Sequence, residues 1–207
     1  MRTVPWWGVI SSAAAPVLLV GGWTVAAALQ PGHFDSVTST ISALAGYGAT
    51  DRWVMTLGLA GLGVCHACTG LALRPAAIAG RLLLMVGGLA GLVVAANPLP
   101  AGGGTSTPHG VAAAISFTAL ALWPACAWRR EARKALAPGL LRRPCSVTAA
   151  AVLFCLLGWF AAELQGGTGL VGLTERLLAG AEAVWPLAVV LSARWHRSAT
   201  GLGRSEP

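Results

Sequence analysis

Two ionisable residues, His66 and Glu182, stand inside long apolar runs of the sequence, where a charge is costly. Such side chains usually face the interior of a helix bundle and find a partner there. A carboxyl can donate a proton and an imidazole can accept one, so the pair suits acid–base chemistry or recognition of a polar ligand. A neutral histidine bonded to a nearby backbone carbonyl or threonine is the plain structural alternative.

The depth of the two residues argues against direct contact between them. At about 1.5 Å per residue, His66 lies about 20 Å from the start of its apolar run and Glu182 about 10 Å from the start of its own. The two are then offset by about one or two helical turns. Contact would need tilted helices, whereas a small ligand or a water chain would join them.

More polar residues gather where the apolar runs end. Asn97 and His109 flank a glycine- and proline-rich loop, Glu163 closes the fifth run, and Asp35 follows the first. In a closed bundle these residues, with His33, lie near one level, and a cluster of acids and bases is what a site needs. Ordinary interfacial polar residues would give the same pattern. The candidate acid–base residues are Asp35, His109, Glu163 and Glu182, and the candidate ligand-binding residues are His33, Ser39, Ser42, His66 and Asn97.

The segment after the first run, QPGHFDSVTSTISALAGYGATDR, is too patterned for a simple connector. Asp35 is a good N-cap, Val37, Ile41 and Leu44 form one apolar face, and serines recur at every third position. These features predict a short helix at the outer interface of the membrane. It is either a plain amphipathic surface helix or a lid over a pocket, with His33 and Asp35 beneath or beside it.

Metal and cofactor motifs are absent from the sequence. It has no HExxH, no zinc-type Cys/His spacing, no EF-hand loop, no glycine-rich phosphate loop and no GxSxG elbow. Cys65 and Cys68 stand in the middle of a run rather than at a helix start, where a redox pair is usually activated. A metal site assembled from His33, Asp35 and His109 is the one combination left open. We therefore predict neither a bound metal nor a cofactor.

The composition of the chain places these residues in a membrane protein. Of its 207 residues, 56% are apolar and only 10% are charged, too few to cover a water-facing surface. A hydrocarbon core about 30 Å thick needs about 20 apolar residues per helix. Six runs qualify: Trp6–Leu29, Trp53–Leu73, Leu82–Leu99, His109–Trp128, Val147–Leu164 and Arg176–Ala193. We predict an all-α, polytopic bundle of six transmembrane helices over residues 1–195, followed by a polar cytoplasmic tail, 196–207.

Basic residues set the orientation of this bundle. With the N-terminus inside, twelve Lys and Arg fall in cytoplasmic segments and two, Arg52 and Arg176, in outer segments. This positive-inside asymmetry predicts that both termini are cytoplasmic. The net charge of +7 lies mainly in short loops between the apolar runs, so nucleic-acid binding is not predicted. The alanine-, glycine- and arginine-rich composition is typical of GC-rich bacterial genomes, which points to the bacterial inner membrane.

The stretch FDSVTSTISALAGYGATDRWVMTLGLAGLGVCHACTGLALRP resembles the bacterial membrane-protein family catalogued as domain of unknown function 998. Its members are similar in having six spans, an acidic residue and a Ser/Thr-Ile-Ser stretch after the first helix, and a Trp-Val-Met start to the second. A later histidine that begins their fourth helix matches His109. The resemblance covers most of residues 6–195 and implies the six-span fold but no reaction. Such bundles are also distantly similar to eukaryotic lipid-remodelling membrane proteins.

Three functions are compatible with these patterns. The leading hypothesis is a membrane protein that binds a lipid-like or amphiphilic small molecule in an outward-facing polar pocket. The first alternative is an intramembrane enzyme of the cyclase or lipid-remodelling type, in which a carboxyl group such as that of Glu182 donates a proton to an isoprenoid or lipid. The second is a structural or accessory membrane subunit. Membrane lipids and a hydrophobic small molecule are the expected partners, and the sequence does not name the oligomeric state.

Overall fold

The computed structural model describes residues 3–32, 34–101, 104, 106–129 and 139–201, with side chains as far as residue 195. Over these residues the chain is helical and contains no strand. A 3-10 turn, Gly139–Leu141, precedes the sixth helix. The α-helices are α1 Trp6–Ala28, α2 Ile41–Leu44, α3 Trp53–Ala72, α4 Ile78–Ala96, α5 Thr107–Ala127, α6 Arg143–Leu164 and α7 Val171–Gly201.

Every described helix except α2 is long and apolar enough to cross a membrane, which makes six candidate spans. The predicted all-α bundle of six transmembrane helices is therefore confirmed, and the protein is a multi-pass membrane protein. The largest difference between a predicted span and the observed helix is at α7, which begins at Val171 rather than Arg176 and continues to Gly201. Its candidate span is Val171–Trp195 among the residues with described side chains, and the helix itself continues into the predicted polar tail.

The six long helices form a closed ring in chain order. Each packs on the next, α1 on α3, α3 on α4, and so on to α6 on α7, and α7 returns to pack on α1. Additional contacts join α7 to α3 and to α5, so α7 reaches the interior of the bundle. The short connections from α3 to α4 and from α6 to α7 favour this antiparallel arrangement.

Glycines set how closely neighbouring helices approach. A Cβ atom at Gly63 of α3 would lie 2.6 Å from the carbonyl oxygen of Gly88 in α4, and one at Gly88 would lie 2.5 Å from that of Gly63. No larger residue fits at either position, because the two backbones are in direct contact. Small residues at helix interfaces are the usual means of packing in lipid, where apolar surface alone gives no preference for a neighbouring helix.

The link between α1 and α3 carries α2, which is a single helical turn. Thr40 caps it by accepting a hydrogen bond on Oγ1 from the amide of Ala43, 3.1 Å away. The prediction that Asp35 is the N-cap is wrong. Asp35 closes a separate turn, in which its Oδ1 accepts from Val37 N at 2.8 Å and its carbonyl accepts from Ser39 N at 2.9 Å. That turn redirects the chain, so the helix starts five residues later.

The apolar side of α2 is inserted between the long helices. Ile41 and Leu44 are buried, as the predicted face requires, and contact residues of α1, α3 and α7. Val37, the third predicted member of that face, is 41% exposed because it lies in the preceding turn. We refer to the end of the bundle that α2 covers as the α2 end, and to the end holding the start of α1 as the opposite end.

Candidate functional site

A cavity of about 60 Å³ lies beneath α2, among the five long helices other than α6. We call it the α2 cavity. Its volume is enough for a few water molecules. Most of its wall is apolar, and its polar lining residues are Ser42, His66, Ser116, Glu175 and Glu182.

Glu182 and His66 have polar atoms without a hydrogen-bond partner among the described residues. Each side chain is 1% exposed, and the atoms concerned are Glu182 Oε1 and His66 Nε2. Buried polar side chains are nearly always hydrogen-bonded, so each exception requires an explanation. Three other buried atoms of the described residues also have no partner, Trp123 Nε1, Arg129 Nε and Arg176 Nη2, but only Glu182 and His66 line the α2 cavity.

The two residues meet at similar depth because α7 starts earlier than predicted. Measured along its helix, Glu182 lies about 16 Å from Val171, and His66 lies about 20 Å from Trp53. The expected offset of one or two turns therefore shrinks to less than one. The two side chains make no hydrogen bond with each other, which leaves the cavity between them as the common feature.

Glu175 lies about two turns from Glu182 on the same helix and connects the cavity to α2. Its carboxylate is buried and accepts the backbone N–H of Ile41, the first residue of α2. It also accepts a hydrogen bond from Ser42 Oγ at 3.4 Å. Amides in the first turn of a helix have no intrahelical partner, so Glu175 satisfies a donor that would otherwise be buried unpaired.

Arg176, the next residue of α7, holds the turn that precedes α2. Its Nη1 donates to the carbonyl oxygens of Ser36 and Ser39, both at 2.8 Å, and to that of Gly172 at 2.9 Å. Its guanidinium carbon lies 5.9 Å from the centre of the Trp23 ring in α1. Arg176 therefore joins the α2 segment to two helices at once.

Two more residues in the first turn of α7 complete this attachment. Leu173 N donates to the carbonyl of Val37 at 3.0 Å. A Cβ atom at Gly172 would lie 2.3 Å from the carbonyl oxygen of Ser39, so the α2 segment sits directly on the helix backbone. We call Gly172, Leu173, Glu175 and Arg176 the α7 latch.

Three of the nine candidate site residues line the α2 cavity, namely Ser42, His66 and Glu182. Ser39 lies close by but meets the α7 latch through its backbone carbonyl. Glu175 and Arg176 were not among the candidates, although they hold the lid over the cavity. The available signal was the spacing of Glu175 and Glu182, which places both carboxyls on one face of a helix.

The other described candidates lie at the α2 end but outside the cavity lining. His109 is buried and its Nδ1 lies 2.8 Å from the carbonyl oxygen of Asn97, while the Asn97 amide donates to Val93 O at 2.8 Å. Glu163 binds its own following loop, accepting from Thr168 Oγ1 at 3.0 Å and from Leu170 N at 2.9 Å. Asp35 is exposed beside its turn. His33 lies outside the described residues.

Metal-binding geometry is not found in the described part of the chain, where no three His, Cys, Asp or Glu side chains come together as ligands. All five cysteines are free thiols, and Cys65 is buried. Ser116, although it lines the cavity, donates to Gly87 O at 2.9 Å and so fastens α5 to α4. The groups left for chemistry in the cavity are the carboxyl of Glu182 and the imidazole of His66.

Comparison with known proteins finds one family. No curated protein and no solved structure matches the chain. The family described as protein of unknown function, DUF998, matches residues 13–192. The matched span contains α2, the α7 latch and every polar residue of the cavity. Because it covers most of the chain, the protein belongs to the DUF998 family.

Proposed function

We propose that this membrane protein binds an amphiphilic or lipid-like molecule whose polar group enters the α2 cavity. The observation that carries the proposal is the pair of unpartnered buried atoms, Glu182 Oε1 and His66 Nε2, at one cavity. An unpaired polar group in the interior costs about 1–3 kcal/mol. A ligand that hydrogen-bonds to both atoms recovers this free energy, and the gain favours binding of the ligand.

The size of the cavity limits what enters it. Pockets that enclose a drug-sized ligand have volumes of about 300–1,000 Å³, whereas this one has about 60 Å³. The cavity therefore takes a head group, and the apolar remainder of the molecule lies along the helices or in the surrounding lipid. Membrane lipids and other hydrophobic small molecules have this division into a small polar group and an apolar tail.

The distribution of arginines supports an outward-facing site. Arg52 and Arg176 are the described arginines at the α2 end, while Arg74, Arg81, Arg129, Arg142, Arg143 and Arg194 belong to the opposite end. Basic residues favour the cytoplasmic side. The termini are then cytoplasmic, and the cavity receives molecules from the outer leaflet of a bacterial plasma membrane.

The test is the content of co-purifying molecules. We expect the wild-type chain to retain an amphiphile in native mass spectra of the protein in nanodiscs. Glu182→Gln, which preserves shape, and His66→Ala are each expected to lower that content about tenfold or more, as for a lost charged hydrogen bond. The matched control is Asp51→Asn, an exposed acid at the same end of the bundle. Unchanged content in both cavity variants, with unfolding midpoints near that of the wild type, would contradict the proposal.

A second function, acid–base catalysis on a lipid or isoprenoid, is favoured by one observation. A carboxyl and an imidazole border one cavity without bonding to each other, and a general acid and base need such separation around a substrate. In that case a lipid incubated with the wild type should return with an altered mass or chromatographic retention, and Glu182→Gln should abolish the change. If the molecule is recovered unaltered, the protein is a binding protein.

A further inference from the structure

We infer that the group recognised in the α2 cavity is a primary ammonium, the head of a membrane-soluble amine, with Glu182 as its counter-ion. This inference rests on the proposed function and names the class of its ligand. It follows from the charged residues around the cavity, from the acceptor atoms there that have no hydrogen-bond partner, and from the volume of the cavity.

The two carboxyls of the cavity differ in their partners. Glu175 accepts two hydrogen bonds from the α2 segment and is followed in the chain by the cation Arg176. Glu182 is almost completely buried, and its Oε1 accepts no hydrogen bond from any described residue. Neither lysine nor arginine lines the cavity. A buried carboxyl without a partner favours its neutral form, and a cationic ligand is the partner that stabilises its ionised form.

The hydrogen-bonding pattern fits an ammonium group. A primary ammonium has three N–H donors and no acceptor. The cavity offers acceptors in Glu182 Oε1 and, for the tautomer with its proton on Nδ1, in His66 Nε2. An anionic head group would face two carboxyls, and no lysine or arginine lines the cavity, so phosphate-bearing ligands are disfavoured.

The volume and lining of the cavity also favour a primary ammonium group. Room for a few water molecules accommodates an ammonium and one or two methylene groups. The ring of Phe117, which also lines the cavity, adds a surface that attracts cations. A trimethylammonium group is considerably larger and has no N–H to donate, so it is expected to bind more weakly than a primary amine.

Three probes with the same tail test the inference on the full chain in nanodiscs, with empty nanodiscs subtracted. They are dodecylamine, dodecanol and dodecyltrimethylammonium. We expect dodecylamine to bind the wild type about tenfold or more tightly than either of the others, in keeping with a charge-assisted hydrogen bond. Glu182→Gln should lose this preference while leaving dodecanol binding unchanged. Asp51→Asn should retain the preference.

A cavity-filling variant shows where the probes bind. Gly91 borders the cavity, and a Cβ atom there would have its nearest neighbour at 3.7 Å. Gly91→Val should therefore fold, keep Glu182, and reduce the binding of both dodecylamine and dodecanol.

The outcomes separate the two proposals. If dodecanol binds as tightly as dodecylamine and Glu182→Gln affects both alike, the ammonium inference is overturned and amphiphile binding stands. If Gly91→Val changes the binding of none of the probes, the molecules are not in the cavity, and both the inference and the proposed function fail.

Discussion

Glu175 and Glu182 are two identical side chains on one helix that have different surroundings and serve different purposes. Glu175 satisfies the amide of Ile41 and the hydroxyl of Ser42, so it is part of the fold. Glu182 lines a cavity, and its Oε1 accepts no hydrogen bond from any described residue. A buried polar group that weakens the fold is typical of a binding or catalytic site, because function often comes at the expense of stability.

Replacement of each acid by leucine should separate these roles. In ligand-free protein we expect Glu182→Leu to leave the free energy of unfolding unchanged or to raise it by about 1–3 kcal/mol, since an apolar group replaces a buried unpaired one. Glu175→Leu should lower it by about 1–3 kcal/mol, because the Ile41 amide loses its acceptor. Denaturant unfolding in matched nanodiscs measures both. A clear destabilisation by Glu182→Leu would mean that Glu182 supports the fold instead.

The position of the one-turn helix α2 depends on another helix. Four hydrogen bonds from Leu173, Arg176 and the Ile41 amide, together with the backbone contact at Gly172, fix the segment 36–42. A one-turn helix has no stability of its own. The first turn of α7 therefore holds α2 in place beside the cavity.

Gly172→Val tests the dependence of α2 on the latch. The added side chain must displace the carbonyls of Ser36 and Ser39, so we expect the amide of Ile41 to exchange its hydrogen about tenfold or more faster than in the wild type, as for the loss of a buried hydrogen bond. Hydrogen exchange with mass spectrometry measures this. Gly158→Ala in α6, where a Cβ atom meets nothing within 4 Å, is the control. Exchange at Ile41 that stays at the wild-type rate would show that α2 holds its place without the latch.

The closed ring of six helices surrounds a cavity that reaches from α2 to about the middle of the bundle. The α2 end bears the lid, and the core around Trp123 and Leu84 fills the opposite half of the bundle. The interpretation of the proposed site therefore depends on which side of the membrane faces α2.

Cysteine labelling in cells would determine that side. In a cysteine-free background we expect Thr38→Cys, an exposed position next to α2, to react with a membrane-impermeant maleimide added outside. Arg74→Cys, exposed at the opposite end, should react only after the membrane is permeabilised. The reverse pattern would place the cavity on the cytoplasmic side and contradict the outward-facing site.

The six spans follow from the sequence because each depends on local properties. A run of about 20 apolar residues must satisfy its own backbone as a helix when it enters lipid. Its length and hydropathy suffice to locate it to within a few residues. The start of α7 was missed because its first turn, Val171 to Glu175, is organised by contacts with the distant segment 36–42 rather than by hydropathy.

The polar residues were harder to assign, since their partners lie far along the chain. His66 and Glu182 could be singled out because a polar group in an apolar run is conspicuous. His109 and Glu163 were also predicted as site residues, but in the fold His109 bonds to Asn97 and Glu163 bonds to the loop after α6. Glu175 was passed over because its acceptor role depends on a helix more than a hundred residues away in the chain.

The sequence alone thus determined a six-helix membrane protein with polar residues concentrated toward one end, because hydropathy and charge act on each segment independently. The packing of the helices sets which of those residues share a cavity, and it places α2 beside that cavity. Rotation and depth of each helix are set by close packing, as at Gly63 and Gly88, and by long-range bonds such as those of Arg176. These contacts bring Glu182 and His66 to one chamber, and no local pattern encodes them.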